Sequence, residues 1–253
     1  MLAYGSHGLV GVLTPQANTT VEPEFWALLP KGHAALNARM TSAKPSIEGR
    51  LVDYFEHLDE HAAQFGNAPI QVLSIACTGS SYLAGRDAEQ RIIARLSERL
   101  KLPVTTSGLA MVQAFKSLGA KRISLISPYP QALTTQSVQY WSDHGLDVQE
   151  VQSVFDDTRP PTFHPIYSLN GHQAGLPLEQ LYLNDVQAIA MLGTGMPTLA
   201  ALTLANQKQS RIPVISCMLA TVWWSCKLID PSCEDLSTWV RSPHWLERLE
   251  GLL

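Results

Sequence analysis

The chain has 253 residues, 45% of them hydrophobic and 16% charged, with a formal net charge of −4. That length suffices for one large domain or two lobes with sizeable cores, and no stretch is biased enough to predict disorder. A net negative chain without a Lys/Arg cluster argues against a nucleic-acid partner, because phosphate binding needs a basic face.

In chain order, Gly8 to Thr14 is a short apolar run closed by Pro15, which predicts a buried parallel strand. Thr19-x-x-Glu22 has the capping-box pattern and predicts entry into a helix over Glu24 to Leu29. Ile47 to Phe65 has the periodicity of an amphipathic helix. Ile70 to Ala76 predicts the next strand and Ala84 to Leu100 the next helix. Val104 to Thr106 and Leu109 to Leu118 predict a third strand and its helix. Further strands are expected near Ile123 to Ser127, Val148 to Val151, Ala188 to Gly193 and Val214 to Cys217. Strands alternating with helices imply parallel sheets covered by helices.

The chain also repeats itself. Thr78-Gly79-Ser80-Ser81-Tyr82-Leu83-Ala84 and Thr194-Gly195-Met196-Pro197-Thr198-Leu199-Ala200 both read T-G-x-x-x-L-A, 116 positions apart. Leu102-Pro103-Val104 before Leu109-Ala110 is echoed 110 positions later by Ile212-Pro213-Val214 before Leu219-Ala220. A fainter pair is Leu13-Thr14-Pro15 with Thr19-Thr20 against Ile126-Ser127-Pro128 with Thr134-Thr135. Three matches in one order predict an α/β fold of two pseudo-symmetric lobes, each a parallel sheet flanked by helices. The active site is expected in the cleft between them, at the strand C-termini. The first lobe is assigned residues 1–108 plus about 218–240 and the second 109–217; 241–253 is a C-terminal extension.

Each T-G loop follows a strand and is expected to open a helix, where backbone N–H groups favour anions and glycine permits close approach. Thr78, Gly79, Thr194 and Gly195 are therefore substrate-binding candidates, suited to a molecule with two carboxylates. Cys77 stands at the first junction, where a helix N-terminus lowers a thiol's pKa and supports a nucleophilic or basic thiolate; the alternative is a small packed residue. Gly193 takes the matching place in the second loop, as a backbone turn, so no second thiol faces Cys77. Asn18, after the first strand, has an amide suited to a carboxylate, or else to a turn. Tyr129, in Ser127-Pro128-Tyr129, could bind a carboxylate or relay a proton.

Other features suggest less. His57 and His61 have metal-like helical spacing, but Asp59 and Glu60 between them read as a solvated face. Cys217 and Cys226, beside Trp223-Trp224, read as packing residues, the tryptophans as core or subunit contact. Four cysteines without C-x-x-C or finger spacing, and no basic region leading into an apolar core, predict no metal site, no export signal and reduced thiols in the cytoplasm. Apolar runs such as Ala188 to Leu192 are too short to span a bilayer. Residues 156–176, with Pro160-Pro161 and Asn170-Gly171, suggest a mobile lid.

Pro15-x-x-Asn18-Thr19-Thr20-x-Glu22, the Cys77 loop, Ser127-Pro128-Tyr129 and Met196-Pro197-Thr198-Leu199 together resemble the maleate cis-trans isomerase branch of the aspartate/glutamate racemase superfamily. Arylmalonate decarboxylase, of the same superfamily, is similar over most of the chain, and the resemblance runs from about Gly8 to about Lys227. It implies no cofactor, a small-molecule carboxylate substrate, catalysis by Cys77, and carboxylate binding by Asn18, Tyr129 and Asn170. Homo-oligomers are an open expectation. The resemblance also implies a second cysteine where this chain has Gly193, which disfavours two-base racemisation. Isomerisation by thiolate addition and malonate-type decarboxylation with Cys77 as acid both remain, beside a binding protein that kept only the fold.

Overall fold

A computed structural model of the chain describes residues 2–154, 165–207, 212–241 and 244–251. Among the described residues the strands are β1 (Gly8–Pro15), β2 (His33–Met40), β3 (Val72–Ile75), β4 (Val104–Thr106), β5 (Arg122–Ser127), β6 (Asp147–Ser153), β7 (Ala188–Met191) and β8 (Val214–Ser216). They form two four-stranded sheets of identical order, β2-β1-β3-β4 and β6-β5-β7-β8. Every pairing is parallel. The doubling expected from the repeated motifs is therefore a doubling of topology.

The first half carries α1 (Val21–Leu28), α2 (Ile47–Glu56), α3 (Leu58–Ala63), α4 (Thr78–Ala84), α5 (Arg86–Leu100) and α6 (Ser107–Leu118). The second carries α7 (Gln131–Asp143), α8 (Gly171–Gly175), α9 (Leu199–Gln207), α10 (Cys217–Ile229), α11 (Leu236–Arg241) and α12 (Leu246–Glu250). None of the helices among the described residues is long and apolar enough to cross a membrane. Helix α10 packs on α6 and reaches back to α1, β1 and β3 of the first sheet.

Several local expectations are corrected. The capping box at Thr19 does not form: α1 starts after Thr20, which makes no side-chain cap bond. Asn18 Oδ1 accepts instead from the N–H groups of Thr20 and Val21, at 2.9 and 3.1 Å, and Glu22 pairs with Arg39. The helix expected over Ile47 to Phe65 breaks at His57, whose Nδ1 contacts the Asp53 carbonyl at 3.0 Å. His57 instead caps α3, its carbonyl accepting from the His61 N–H at 3.0 Å. His61 is buried against Tyr54 rather than solvated. The helix expected over Ala84 to Leu100 begins at Thr78 and is cut by Gly85, at φ +74°. Of the predicted lid, residues 156–164 lie outside the described residues, as do 242–243 and 252–253 of the C-terminal extension; Trp223 is core.

An aromatic cluster fixes the helix that follows Cys77. Tyr82 of α4 lies edge-on to Tyr140 and Trp141 of α7, with centroids 5.3 and 5.6 Å away. All three rings are buried, and each contributes about 1.5–3 kcal/mol through apolar area removed from water. Behind them the buried Glu89 carboxyl accepts from Thr106 at 2.5 Å and Tyr140 at 2.6 Å. The cluster thus ties α4, from the first half, to α7 of the second.

Candidate active site

The strand ends place the site. Parallel β1, β3, β5 and β7 deliver Asn18, Cys77, Tyr129 and Gly193 from the loops beyond their C-terminal ends. Those loops meet directly. Thr194 Oγ1 donates to the Ala76 carbonyl at 2.8 Å, Asn18 Nδ2 to Thr194 Oγ1 at 3.4 Å, and Thr20 Oγ1 to the Gly195 carbonyl at 2.9 Å. The Thr78 and Tyr129 hydroxyls are 2.8 Å apart.

Cys77 is the cap residue of α4, with φ −146° and ψ 97°. Its sulfur faces the N–H groups of Gly79 and Ser80 and lies 3.2 Å from Ser80 Oγ. A sulfur anion there would receive two backbone dipoles. Burial nevertheless pushes the resting thiol up, against the Ser80 hydroxyl and those two N–H groups. The expected net lowering by the helix is thus not seen. Ser80 Oγ donates its one proton to the Leu51 carbonyl at 2.7 Å. It can support a thiolate only by turning that proton toward the sulfur, so at rest Cys77 S–H is the donor to Ser80.

Cys77 is buried, and three phenols lie within electrostatic reach of its sulfur: a Cys77 thiolate would raise Tyr54, Tyr129 and Tyr167. Burial, the larger effect, pushes Tyr54 up to about 12 and Tyr129 well above the usual tyrosine range. All three therefore stay protonated near neutrality. Tyr54 reaches the site because Leu51, Tyr54 and Phe55 share the buried face of α2. Neither Tyr54 nor Tyr167 was foreseen.

The second loop is built differently. Gly193 has φ +85°, and a Cβ there would lie 2.8 Å from Ile166 Cδ1 and Pro128 Cγ and 3.2 Å from the Tyr129 hydroxyl. A side chain is excluded by conformation and by space. Helix α9 starts only at Leu199, and its first N–H groups are taken by a protein carboxylate. Glu24 of α1 accepts from Thr198 N at 2.6 Å, Leu199 N at 3.3 Å and Thr198 Oγ1 at 3.1 Å. The second helix start, expected to bind a substrate anion, is already filled by a protein carboxyl group. Burial pushes Glu24 up to about 7 against these three bonds.

Among the remaining candidates, Thr194 is buried in the loop contacts and Gly195 lies under Tyr167. Gly79 is covered by Leu51. Asn170 is exposed and caps α8, its Oδ1 accepting from Gln173 N at 2.9 Å. Cys217 packs as expected, fully buried, but beside the site: its thiol lies against Gly193 N–H, Thr78 and Tyr82. An exposed group of Asp53, Glu56 and His57 has ligating atoms within 4.8 Å of one another. It lies on α2 and the turn after it, and exposed acidic groups commonly cluster this way without an ion.

Comparison with known proteins gives the chain's family and its fold relatives. The family model described as arylmalonate decarboxylase matches residues 10–237. A maleate isomerase of Pseudomonas putida is 28% identical over 233 residues, 87% of this chain and 91% of that protein. A Nocardia farcinica maleate cis-trans isomerase variant, solved with a covalently bound succinylcysteine intermediate, superposes with TM-score 0.75 at 22% identity, covering 88% of this chain and 93% of that one. A crystal structure of arylmalonate decarboxylase superposes with TM-score 0.74 at 16% identity, over 94% and 96% of the two chains.

Proposed function

We propose, from the premise that the chain belongs to the arylmalonate decarboxylase family, that it is a cofactor-independent isomerase converting a small maleate-like dicarboxylate to its trans isomer through Cys77. The observation that carries this reading is the placement of the Cys77 sulfur over the N–H groups of Gly79 and Ser80, where the loops bearing Asn18 and Tyr129 meet it. The relatives named as maleate isomerases support it, as does the succinylcysteine in one of them.

The chemistry needs only one sulfur. The Cys77 thiolate adds to one alkene carbon, forming the S–C bond while the π pair moves onto the neighbouring carbon and its carboxylate as an enediolate. The former double bond is now single and rotates. The enediolate pair then re-forms the alkene and expels the thiolate, so no net proton is consumed. Tyr129 and Asn18 Nδ2 are the proposed donors to the substrate carboxylates, with Thr78, Thr194 and the glycine N–H groups of both loops shaping their seat. Removing one such donor lowers turnover by about 10²–10³-fold in comparable sites. Asn170 is a further proposed carboxylate partner through its amide nitrogen, since its oxygen is spent on α8.

One observation favours a second reading. The resting Cys77 is a neutral thiol whose neighbour Ser80 has committed its proton elsewhere, which suits an acid. A malonate-type acid would lose carbon dioxide, leave its bonding pair as an enediolate, and take the Cys77 proton at carbon. Both readings need a reduced thiol and so a cytoplasmic setting. Homo-oligomers are proposed as well; Trp26 on α1 and Leu204 on α9, 55% and 61% exposed, offer apolar surface.

The deciding experiment incubates the protein with maleate and with phenylmalonate and follows both by proton NMR. Fumarate supports isomerisation, and phenylacetate with carbon dioxide supports decarboxylation. Cys77→Ala is expected to lower the observed turnover by about a thousandfold or more. Unchanged turnover in that variant removes Cys77 from the mechanism, and turnover of neither substrate leaves a binding protein.

A further inference from the structure

Two more cysteines lie together at the far end of α10. Cys226 is in its last turn and fully buried, whereas Cys233 follows the helix and is partly exposed; both are free thiols. The chain between them is folded back by a built turn. Asp230 N donates to the Cys226 carbonyl at 2.8 Å, and Cys233 N to the Asp230 carbonyl at 3.0 Å. Asp230 Oδ1 accepts from the Ser232 N–H and hydroxyl at 2.9 and 2.7 Å. Lys227 Nζ holds the outside of this turn through Pro231 O and Asp235 Oδ1, both at 3.2 Å. Trp223 Nε1 anchors its exit on the Glu234 carbonyl at 3.1 Å. The turn folds Cys233 back toward Cys226, close enough for the two thiols to interact.

We propose that Cys226 and Cys233 form a redox-active dithiol, which hydroperoxides oxidise to an intramolecular disulfide before they oxidise Cys77. The pair divides the two roles such a reaction needs. Cys233 is the accessible member, and its interaction with buried Cys226 holds its thiol below the usual range, aided by Lys227 and the Glu234 N–H against burial and Asp230. The same contact, with burial, keeps Cys226 protonated. The accessible thiolate of Cys233 attacks a peroxide oxygen, giving a sulfenic acid and hydroxide. Cys226 sulfur then displaces the sulfenic oxygen as water, and the two thiol protons neutralise the departing oxygens. One peroxide thus becomes two waters as two thiols become a disulfide. Cys77 and Cys217, both buried with their thiols pushed up by burial, stay behind in this sequence.

The full-length reduced protein is treated with limiting hydrogen peroxide, denatured, alkylated and mapped by peptide mass spectrometry. The expected product links Cys226 to Cys233, has lost two hydrogens, reverts with dithiothreitol, and leaves Cys77 and Cys217 alkylatable. In the untreated native protein, Cys233 is expected to react with iodoacetamide about tenfold or more faster than Cys77. Cys226→Ser should stop the disulfide and leave a sulfenic acid on Cys233 that dimedone traps. Oxidation of Cys77 first, disulfides only between separate chains, or no disulfide at all overturns the proposal. Because peptide mapping of the unaltered protein decides this without a turnover assay, a variant that fails to fold leaves it tested.

Discussion

The two T-G-x-x-x-L-A segments share a sequence pattern and a place in the topology, yet the chain builds opposite things from them. At the first, α4 begins with Thr78, and the N–H groups of Gly79 and Ser80 face the Cys77 sulfur. At the second, Pro197 and a left-handed Gly193 delay the helix to Leu199, and Glu24 from the other lobe occupies its start. One loop keeps its dipoles for chemistry; the other spends them on holding the lobes together. A duplicated motif therefore fixes where a loop stands, while neighbours from the other repeat decide whether it reacts or braces.

The comparison can be broken most directly at Gly193. Gly193→Cys, which makes the loops nominally symmetric, forces a side chain into φ +85° against Ile166 and Pro128. Left-handed strain of about 1–2 kcal/mol and overpacking of about 1–3 kcal/mol add to a loss of about 2–5 kcal/mol. Urea unfolding should show it as a lower midpoint, with no gain in turnover. Equal stability would mean the loop relaxes easily and its asymmetry is not structural.

Next in size is Glu24. Its folded pKa of about 7 lies above the ordinary 4.5, so the folded state prefers the protonated form. Stability from this group is full below about 4.5 and is lost as pH rises toward 7, by about 3 kcal/mol over the window. Unfolding midpoints measured from pH 4.5 to 7.5 should fall in the wild type and fall less in Glu24→Gln, which cannot ionise. Parallel profiles would show that the three donor bonds hold the carboxylate charged throughout.

Much of this asymmetry was written in the sequence, though not where loop motifs direct attention. Strands β3 and β7 and the position of Cys77 were legible because apolar runs end at T-G steps. Glu24 was hidden by its charge, yet Val21, Glu24, Phe25 and Leu28 fall at helical spacing and are all buried, so the pattern placed a carboxyl on the core face. Tyr54 was available in the same way beside Leu51 and Phe55. Cys217 is 110 positions after Ser107, at the start of the matching helix. Strand β2 was not legible: His33–Met40 is rich in Ala, Leu, Arg and Met, which favour helix, and only its pairing with β1 along its full length holds it extended.

A smaller effect is expected at the seam between the loops. Thr194→Val keeps the shape but strips the proton given to the Ala76 carbonyl and the oxygen facing Asn18. Leaving a buried carbonyl unpaired costs about 1–3 kcal/mol. The loss should appear in unfolding, and in turnover to the extent that Thr194 holds the Asn18 amide in place. A turnover loss without a stability loss would place Thr194 on the substrate rather than in the brace.

The smallest and most discriminating test concerns Ser80. At rest its proton lies on the Leu51 carbonyl, and the hydroxyl lowers the Cys77 thiol only by turning that proton to the sulfur as the anion forms. Ser80→Ala removes the hydroxyl while the N–H groups of Gly79 and Ser80, which belong to the backbone, remain. The pH at which Cys77 becomes reactive toward iodoacetamide should therefore move up, not down. A downward move would mean that the proton stays on Leu51 and the Ser80 lone pairs hold the thiol protonated. The first outcome fits a loop that carries its own activating hydroxyl; the second fits a loop poised as an acid and switched to a nucleophile by its substrate.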